Sequence, residues 1–316
     1  MNNSLTAIEG LSVGHAEDKA GTGCTVILFD PMAEVAYEAR GGYPTTFDTD
    51  GIDVGKRFVK RHAVFLAGGD VYGLDCPAGI RKYLLERGMV TMEAGGQMPL
   101  IVGATIYDMW LADILKVSYP DIAYRACLNA SMNPVLEGNV GGGIGGSAGG
   151  FAGHDQAGKG GTGSFAMPLF DGISVAALMI TNCMGNVRDP DTGETLEGAR
   201  DKNTGKFIQF ENMIGDYVRT PRKKENTTIG IVATNAELSH EELLKVAQMA
   251  HDGLAMSIRP THTTSDGDTI FAVSTGRVKS IESRPRMLDA IGYLSARCVA
   301  ISIARSVTVN RKPVRA

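Results

Sequence analysis

Apolar positions along this chain come in short β-branched runs closed by glycine, proline or an acid, with few long 3.6-residue periods. Residues 7–16 read as a turn-punctuated strand, and residues 21–30 as a second, bounded by glycines and by Asp30-Pro31. Residues 34–39 are expected to pair with the second as a hairpin. Further strands are predicted over residues 62–67 (ending in Gly68-Gly69-Asp70), 100–108 (ending in Tyr107-Asp108), 173–182 (ending at Asn182), 227–235 and 269–273. Helices are fewer. One runs from Pro77, favoured in a first turn, to the stop at Gly88. The capping box Ser239-His240-Glu241-Glu242 opens another, with Leu243, Ala247, Ala250 and Leu254 on one face. A long apolar helix starts near Ser283 and packs on a sheet. No fixed-period repeat is present, and strands followed by packed helices suit helices over antiparallel or mixed sheets.

Two stretches break this alternation. Residues 138–163 are rich in glycine, including Gly141-Gly142-Gly143-Ile144-Gly145-Gly146 and Lys159-Gly160-Gly161. Such a stretch is either a flexible linker or a packed loop whose backbone N–H groups approach a ligand, as they do around anions and oxyanions. Ile144 among the glycines, with strands on either side, favours the packed loop, and Gly143 is then a candidate binding position. The second stretch, residues 187–226, is polar and turn-rich. Loops this long are uncommon and are usually functional or disordered. It runs directly into the Thr227 strand.

Composition adds mainly exclusions. The 316 residues suffice for a full core, and 40 glycines against 6% aromatics favour tight turns over aromatic platforms. A formal charge of −4 leaves no electrostatic footprint for nucleic acid. No apolar run of about 18 residues suggests a membrane span, and the first residues lack a signal-peptide pattern. The cysteines, Cys24, Cys76, Cys127, Cys183 and Cys298, are odd in number and never form a CxxC pair. They suit buried, reduced thiols in a cytoplasmic protein, and no zinc-ligand spacing or cofactor motif appears. The glycines after residue 67 match neither dinucleotide-binding nor P-loop patterns.

Candidate chemistry gathers at the bond between Asn226 and Thr227. A threonine opening a strand is ordinary, since β-branched residues suit strands. If that bond is cut, however, Thr227 carries both a hydroxyl and a free α-amine. With a pKa of about 7.7–8.0, the amine can act as a base near neutrality. Charge on a tetrahedral oxygen then needs donors, and the Asn182 amide at a strand end is suited to that. Asp266 and Asp268 are candidates to hold the amine and hydroxyl, with a tight turn before a strand as the competing reading. Arg40 could bind a carboxylate, or form a structural ion pair. If a substrate amine is read by a carboxylate, Glu137 beside the glycine loop is a candidate, with surface exposure as the alternative.

Motifs over nearly the whole chain, in order, resemble one family. They are Gly10-Leu11-Ser12-Val13-Gly14-His15; Arg40-Gly41-Gly42; Leu66-Ala67-Gly68-Gly69 with Gly73-Leu74-Asp75; Pro99-Leu100-Ile101-Val102-Gly103-Ala104 before Ile106-Tyr107-Asp108; the glycine loop; Asn226-Thr227-Thr228-Ile229-Gly230; and Arg259-Pro260 with His262 before Asp266-Gly267-Asp268. The chain resembles the DmpA-type P1 peptidases, which include β-aminopeptidases and nylon-oligomer hydrolases. That resemblance implies an α/β fold, a four-layer αββα sandwich formed by a single domain over residues 1–316. It implies a precursor cut by itself into an α chain (1–226) and a β chain (227–316), and typically a homotetramer of αβ units. It carries Thr227 as nucleophile, Asn182 as oxyanion donor, Asp266 and Asp268 as the acidic pair, and Tyr107 as a hydroxyl on the site wall. The family's lysine falls at Gly150 here, which leaves Lys159 as the candidate. The expected activity is release of N-terminal residues from small peptides, amides or esters through a Thr227 acyl-enzyme. Endo-hydrolysis of linear amide oligomers is the alternative, and a non-catalytic small-molecule binder is the reading from another class.

Overall fold

A computed structural model describes residues 2–93, 95–110, 113–219, 225–279 and 284–309. Its centre is a nine-stranded sheet. The main strands are β1 (Leu11–Glu17), β2 (Gly23–Ala39), β3 (Lys60–Ala67), β4 (Ile101–Thr105), β5 (Gly161–Pro168), β6 (Ser174–Thr181), β7 (Ile229–Ala236) and β8 (Thr269–Val278). They lie in the order β5-β6-β7-β8-β2-β3-β4, followed by the short strand Thr46–Phe47, with β1 also on β2. The sheet is mixed: β7 runs parallel to β8 and β3 parallel to β4, and the other main pairs are antiparallel. The expected hairpin between residues 21–30 and 34–39 does not form. Both runs belong to β2, a 17-residue strand whose first half pairs with β1 and β3 and whose last residues pair with β8. A register shift between Leu28 and Ala33 divides the halves, so their apolar runs face different neighbours and have no cause to fold back on each other.

Alternation along the strands sorts the core into three clusters. Ala176, Leu178 and Ile180 of β6 join Ile229, Ile231, Phe271, Val64 and Val102 in an inner cluster enclosed by the folded sheet. Val175, Ala177 and Met179, on the opposite face of β6, pack on helices α3 (His240–Ala250), α4 (Asp252–Ser257) and α5 (Arg284–Thr308). On the other outer face, Val26, Phe65 and Ile101 pack on α1 (Cys76–Glu86) and α2 (Tyr119–Leu128). The layering is helix, strand, strand, helix. Helix α5 is long and apolar enough to cross a bilayer, yet Ile291, Val299 and Ile303 lie in the outer cluster against the sheet. The capping box at Ser239 and Glu242 is present. The polar segment is more structured than expected. It holds the strands Asn186–Arg188 and Thr195–Glu197 and the short helix Ile214–Arg219, and its residues 220–224 lie outside the described part.

Candidate active site

The site forms where β6 ends and the parallel strands β7 and β8 begin. Asn182 follows β6, Thr227 and Thr228 precede β7, and Asp266-Gly267-Asp268 precede β8. These residues are buried despite their polarity: Thr227 is 4% exposed, and Asn182, Asn226, Asp266 and Asp268 at most 1%. Buried polar groups need partners, and here the partners define the geometry. The Thr227 amide N–H donates to the Asn182 carbonyl at 2.6 Å. The Thr227 hydroxyl sits against the carbonyl oxygen of Asn226, on the same bond that the sequence singles out. The Gly267 N–H donates to that carbonyl at 3.1 Å and to Thr227 Oγ1 at 3.2 Å. A Cβ on residue 267 would lie 2.5 Å from the Tyr43 carbonyl and 2.9 Å from Thr227 Oγ1, so only glycine brings its N–H this close.

The two acids differ in surroundings. Asp268 accepts from the Thr228 N–H at 2.8 Å, the Thr261 hydroxyl and His262 N–H at 3.0 Å each, and its Oδ2 meets His262 Nδ1 at 2.8 Å. His262 takes a left-handed φ of 55°. Asp266 accepts from the Thr263 hydroxyl at 2.6 Å, the Thr263 N–H at 3.0 Å and the Met184 N–H at 3.3 Å. Burial, and then the charge of neighbouring Asp268, push its pKa up to about 7 despite those donors.

The Asn182 side chain is firmly oriented. Its Oδ1 accepts from the Ser147 N–H at 3.1 Å and hydroxyl at 2.9 Å, and one Nδ2 hydrogen goes to the Tyr107 carbonyl at 2.9 Å. Among the described residues the second Nδ2 hydrogen has no acceptor. Tyr107 is therefore joined to the site through its backbone, while its ring tilts against Trp110 at 6.0 Å, and Trp110 against His154 at 4.5 Å. Burial raises the Tyr107 pKa, helped by Asp70, Glu225 and Tyr43 nearby. Beside it, Asp108 accepts from the Thr22 hydroxyl at 2.7 Å and the Gly69 N–H at 2.6 Å, and burial lifts it to about 6.

Other candidates lie elsewhere. Lys159 is exposed on a two-residue strand whose backbone faces Ser147, and its ammonium bonds no described residue. Glu137 neither faces the site nor stands free in solvent. Both its oxygens engage Arg305 of α5, and Oε1 also accepts the Ser164 N–H at 2.8 Å. Gly143 is buried against Thr162 with its N–H on the Val140 carbonyl, leaving no donor for a ligand. Gly150, where the resemblance places a lysine, does touch the site. The three atoms nearest to a Cβ built there are Asn226 Oδ1 at 2.2 Å, and Cγ and Nδ2 at 2.7 Å. The Asn226 carboxamide fills the space a side chain would need. Arg40 ion-pairs with Glu38 at 3.5 Å. Gly267 and Ser147 were not singled out by sequence. The glycine between the two acids was the available signal for the first.

A family model described as peptidase family S58 matches residues 3–314. An uncharacterized aminopeptidase of Mycobacterium bovis is 34% identical over 342 aligned positions, covering 99% of this chain and 95% of that protein. The 6-aminohexanoate-oligomer endohydrolase of Paenarthrobacter ureafaciens is 33% identical over 275, covering 85% and 74%. Among solved structures, the L-aminopeptidase D-Ala-esterase/amidase of Ochrobactrum anthropi, described as a variant of the Ntn-hydrolase fold, superposes with a TM-score of 0.70 at 20% identity. The match covers 96% of this chain and 85% of that one. A Burkholderia sp. β-aminopeptidase gives 0.69 at 20%, over 97% and 86%. The α/β layering described above is that shared fold.

Proposed function

The chain belongs to peptidase family S58 and is a hydrolase of peptide or amide bonds, and from that premise we propose that it cuts itself between Asn226 and Thr227 and then works as an N-terminal-nucleophile aminopeptidase or amidase. The observation that carries this reading is the Thr227 hydroxyl against the Asn226 carbonyl, with the Gly267 N–H donating to that same oxygen at 3.1 Å. In self-cleavage, Thr227 Oγ1 attacks the Asn226 carbonyl carbon. The Oγ1 proton passes to the departing amide nitrogen as the C–N bond breaks, which leaves the Asn226 acyl group as an ester on Oγ1 and a free α-amine; water then hydrolyses the ester, giving the Asn226 carboxylate and restoring the hydroxyl. Thr227 then begins the β chain, with an α-amine able to take the hydroxyl proton during turnover. The substrate carbonyl bonds to Oγ1, and its oxyanion is met by the Gly267 N–H and the second Asn182 amide hydrogen. Asp268 holds the new terminus through the Thr228 N–H. Tyr107 and Trp110 line the approach.

Intact mass and a denaturing gel test the cut. Two pieces meeting at Asn226 and Thr227 are expected, and Thr227→Ala should stay whole and release no p-nitroaniline from aminoacyl p-nitroanilides. A Thr227→Ala protein that matures and turns over would remove Thr227 as nucleophile. The relatives named as 6-aminohexanoate-oligomer endohydrolases favour a second reading, internal cleavage of linear amide oligomers. Hydrolysis of such oligomers, with aminoacyl anilides untouched, would select it. A homotetramer of αβ units in the cytoplasm completes the proposal.

A further inference from the structure

Gly150 has no left-handed φ to explain it. What its missing side chain makes room for is Asn226. All three of the nearest atoms to a Cβ there belong to the Asn226 carboxamide, at 2.2 to 2.7 Å. Asn226 itself is fully buried. Its carboxamide makes a single long bond, Nδ2 to the Asn182 carbonyl at 3.4 Å, and Oδ1 has no partner among the described residues. The space above Gly150 thus holds a side chain by volume and gives it little hydrogen bonding.

From this we infer that the space over Gly150 is the acyl side-chain subsite of the mature enzyme, and that it admits substrates whose acyl residue has a side chain no larger than that of asparagine. The inference rests on the reading of Thr227 as acyl acceptor. Self-cleavage and turnover both join an acyl carbon to Thr227 Oγ1, so both set the residue behind that carbon in one place. In the uncut chain that residue is Asn226. In turnover it is the acyl residue of the substrate. After Asn226 leaves, the opening is bounded by the Gly150 backbone and the Asn182 carbonyl, and selection there is by size: glycyl, alanyl, seryl and asparaginyl groups enter, leucyl and phenylalanyl groups do not.

Two series test this. In the first, residue 226 is varied through Gly, Ala, Asn, Leu and Phe, and the rate of self-cleavage is followed by gel and mass. In the second, matured protein is given the matching aminoacyl p-nitroanilides. Both series should fall in the same order, with Leu and Phe lower than Asn and Ala by about tenfold or more. Gly150→Ala, made with Asn226→Gly so that nothing large opposes the added methyl during maturation, should lower the asparaginyl-to-glycyl ratio of kcat/KM by about tenfold. Gly150→Ala alone should mature more slowly than the pair. A matured enzyme that favours leucyl or phenylalanyl groups, or a ratio unmoved by Gly150→Ala, overturns the inference and leaves the hydrolase reading intact. A chain that is never cut and hydrolyses none of the panel overturns the hydrolase mechanism, and the subsite with it.

Discussion

Asp266 and Asp268 stand two residues apart with unlike surroundings. Asp268 receives donors from four groups, Thr228, Thr261 and both the backbone and ring of His262, whereas Asp266 is shared between Thr263 and Met184 and sits beside its neighbour's charge. The folded pKa of Asp266 is about 7, against about 3.9 for an unfolded aspartate. A raised carboxyl binds more protons in the folded state between those values, so its contribution to stability is full below about pH 4 and is lost as pH rises through 7. Asp266→Asn keeps an acceptor and lacks that loss. In the uncut Thr227→Ala background, the stability of the Asp266→Asn chain relative to its parent should improve between pH 4.5 and 8 by about 1 kcal/mol or more, read from urea midpoints. A gap that stays constant would mean that Asp266 is ionised throughout. At this scale the sequence was informative where chemistry is local. Thr227, Asn182 and the Asp-Gly-Asp run are marked by strand ends and family motifs. Glu137 was misread because its partner, Arg305, lies 168 residues away. The fit of Gly150 to Asn226 is likewise a contact between distant loops that no spacing encodes.

Secondary elements were more legible than their pairings. Runs of apolar residues gave the strands, and the Ser239 box gave the start of α3, because each depends on neighbours in sequence. The long β2 was misread as a hairpin since Asp30-Pro31 resembles a turn. What decides its course is two sets of partners, β1 and β3 at one end and β8 at the other. Helix α5 was read as packed on a sheet, but how closely it packs could not be seen. A Cβ at Gly163 of β5 would lie 2.0 Å from the Ser302 carbonyl and 2.6 Å from the Ser306 nitrogen, both backbone atoms that cannot swing aside. Gly163→Ala should therefore cost about 1–3 kcal/mol, measured by urea unfolding. Retention of full stability would mean that α5 rides further from the sheet.

In the whole molecule, the bond between Asn226 and Thr227 divides the chain unevenly. Residues 1–226 supply β1 to β6 with α1 and α2, and residues 227–316 supply β7, β8 and α3 to α5. The second piece is not an appendage. Strand β7 pairs with β6 on one side, β8 pairs with β2 on the other, and α5 lies across β5 and β6. Cutting should leave the particle intact: the two pieces are expected to elute together on gel filtration in native buffer, at the size of the uncut Thr227→Ala protein, and to part only in denaturant. Separation in native buffer would contradict the two seams.

The same sheet order bears on biosynthesis. Made as separate polypeptides, the larger piece would present the open edges of β6 and β2, and the smaller would present both sides of a two-strand ribbon. Unpaired edges of this kind invite pairing with any passing strand. A single continuous polypeptide carries β7 and β8 alongside the gap they fill, so on the proposed self-cleavage the intact Asn226–Thr227 link would serve as an internal chaperone whose work is over once the sheet has closed.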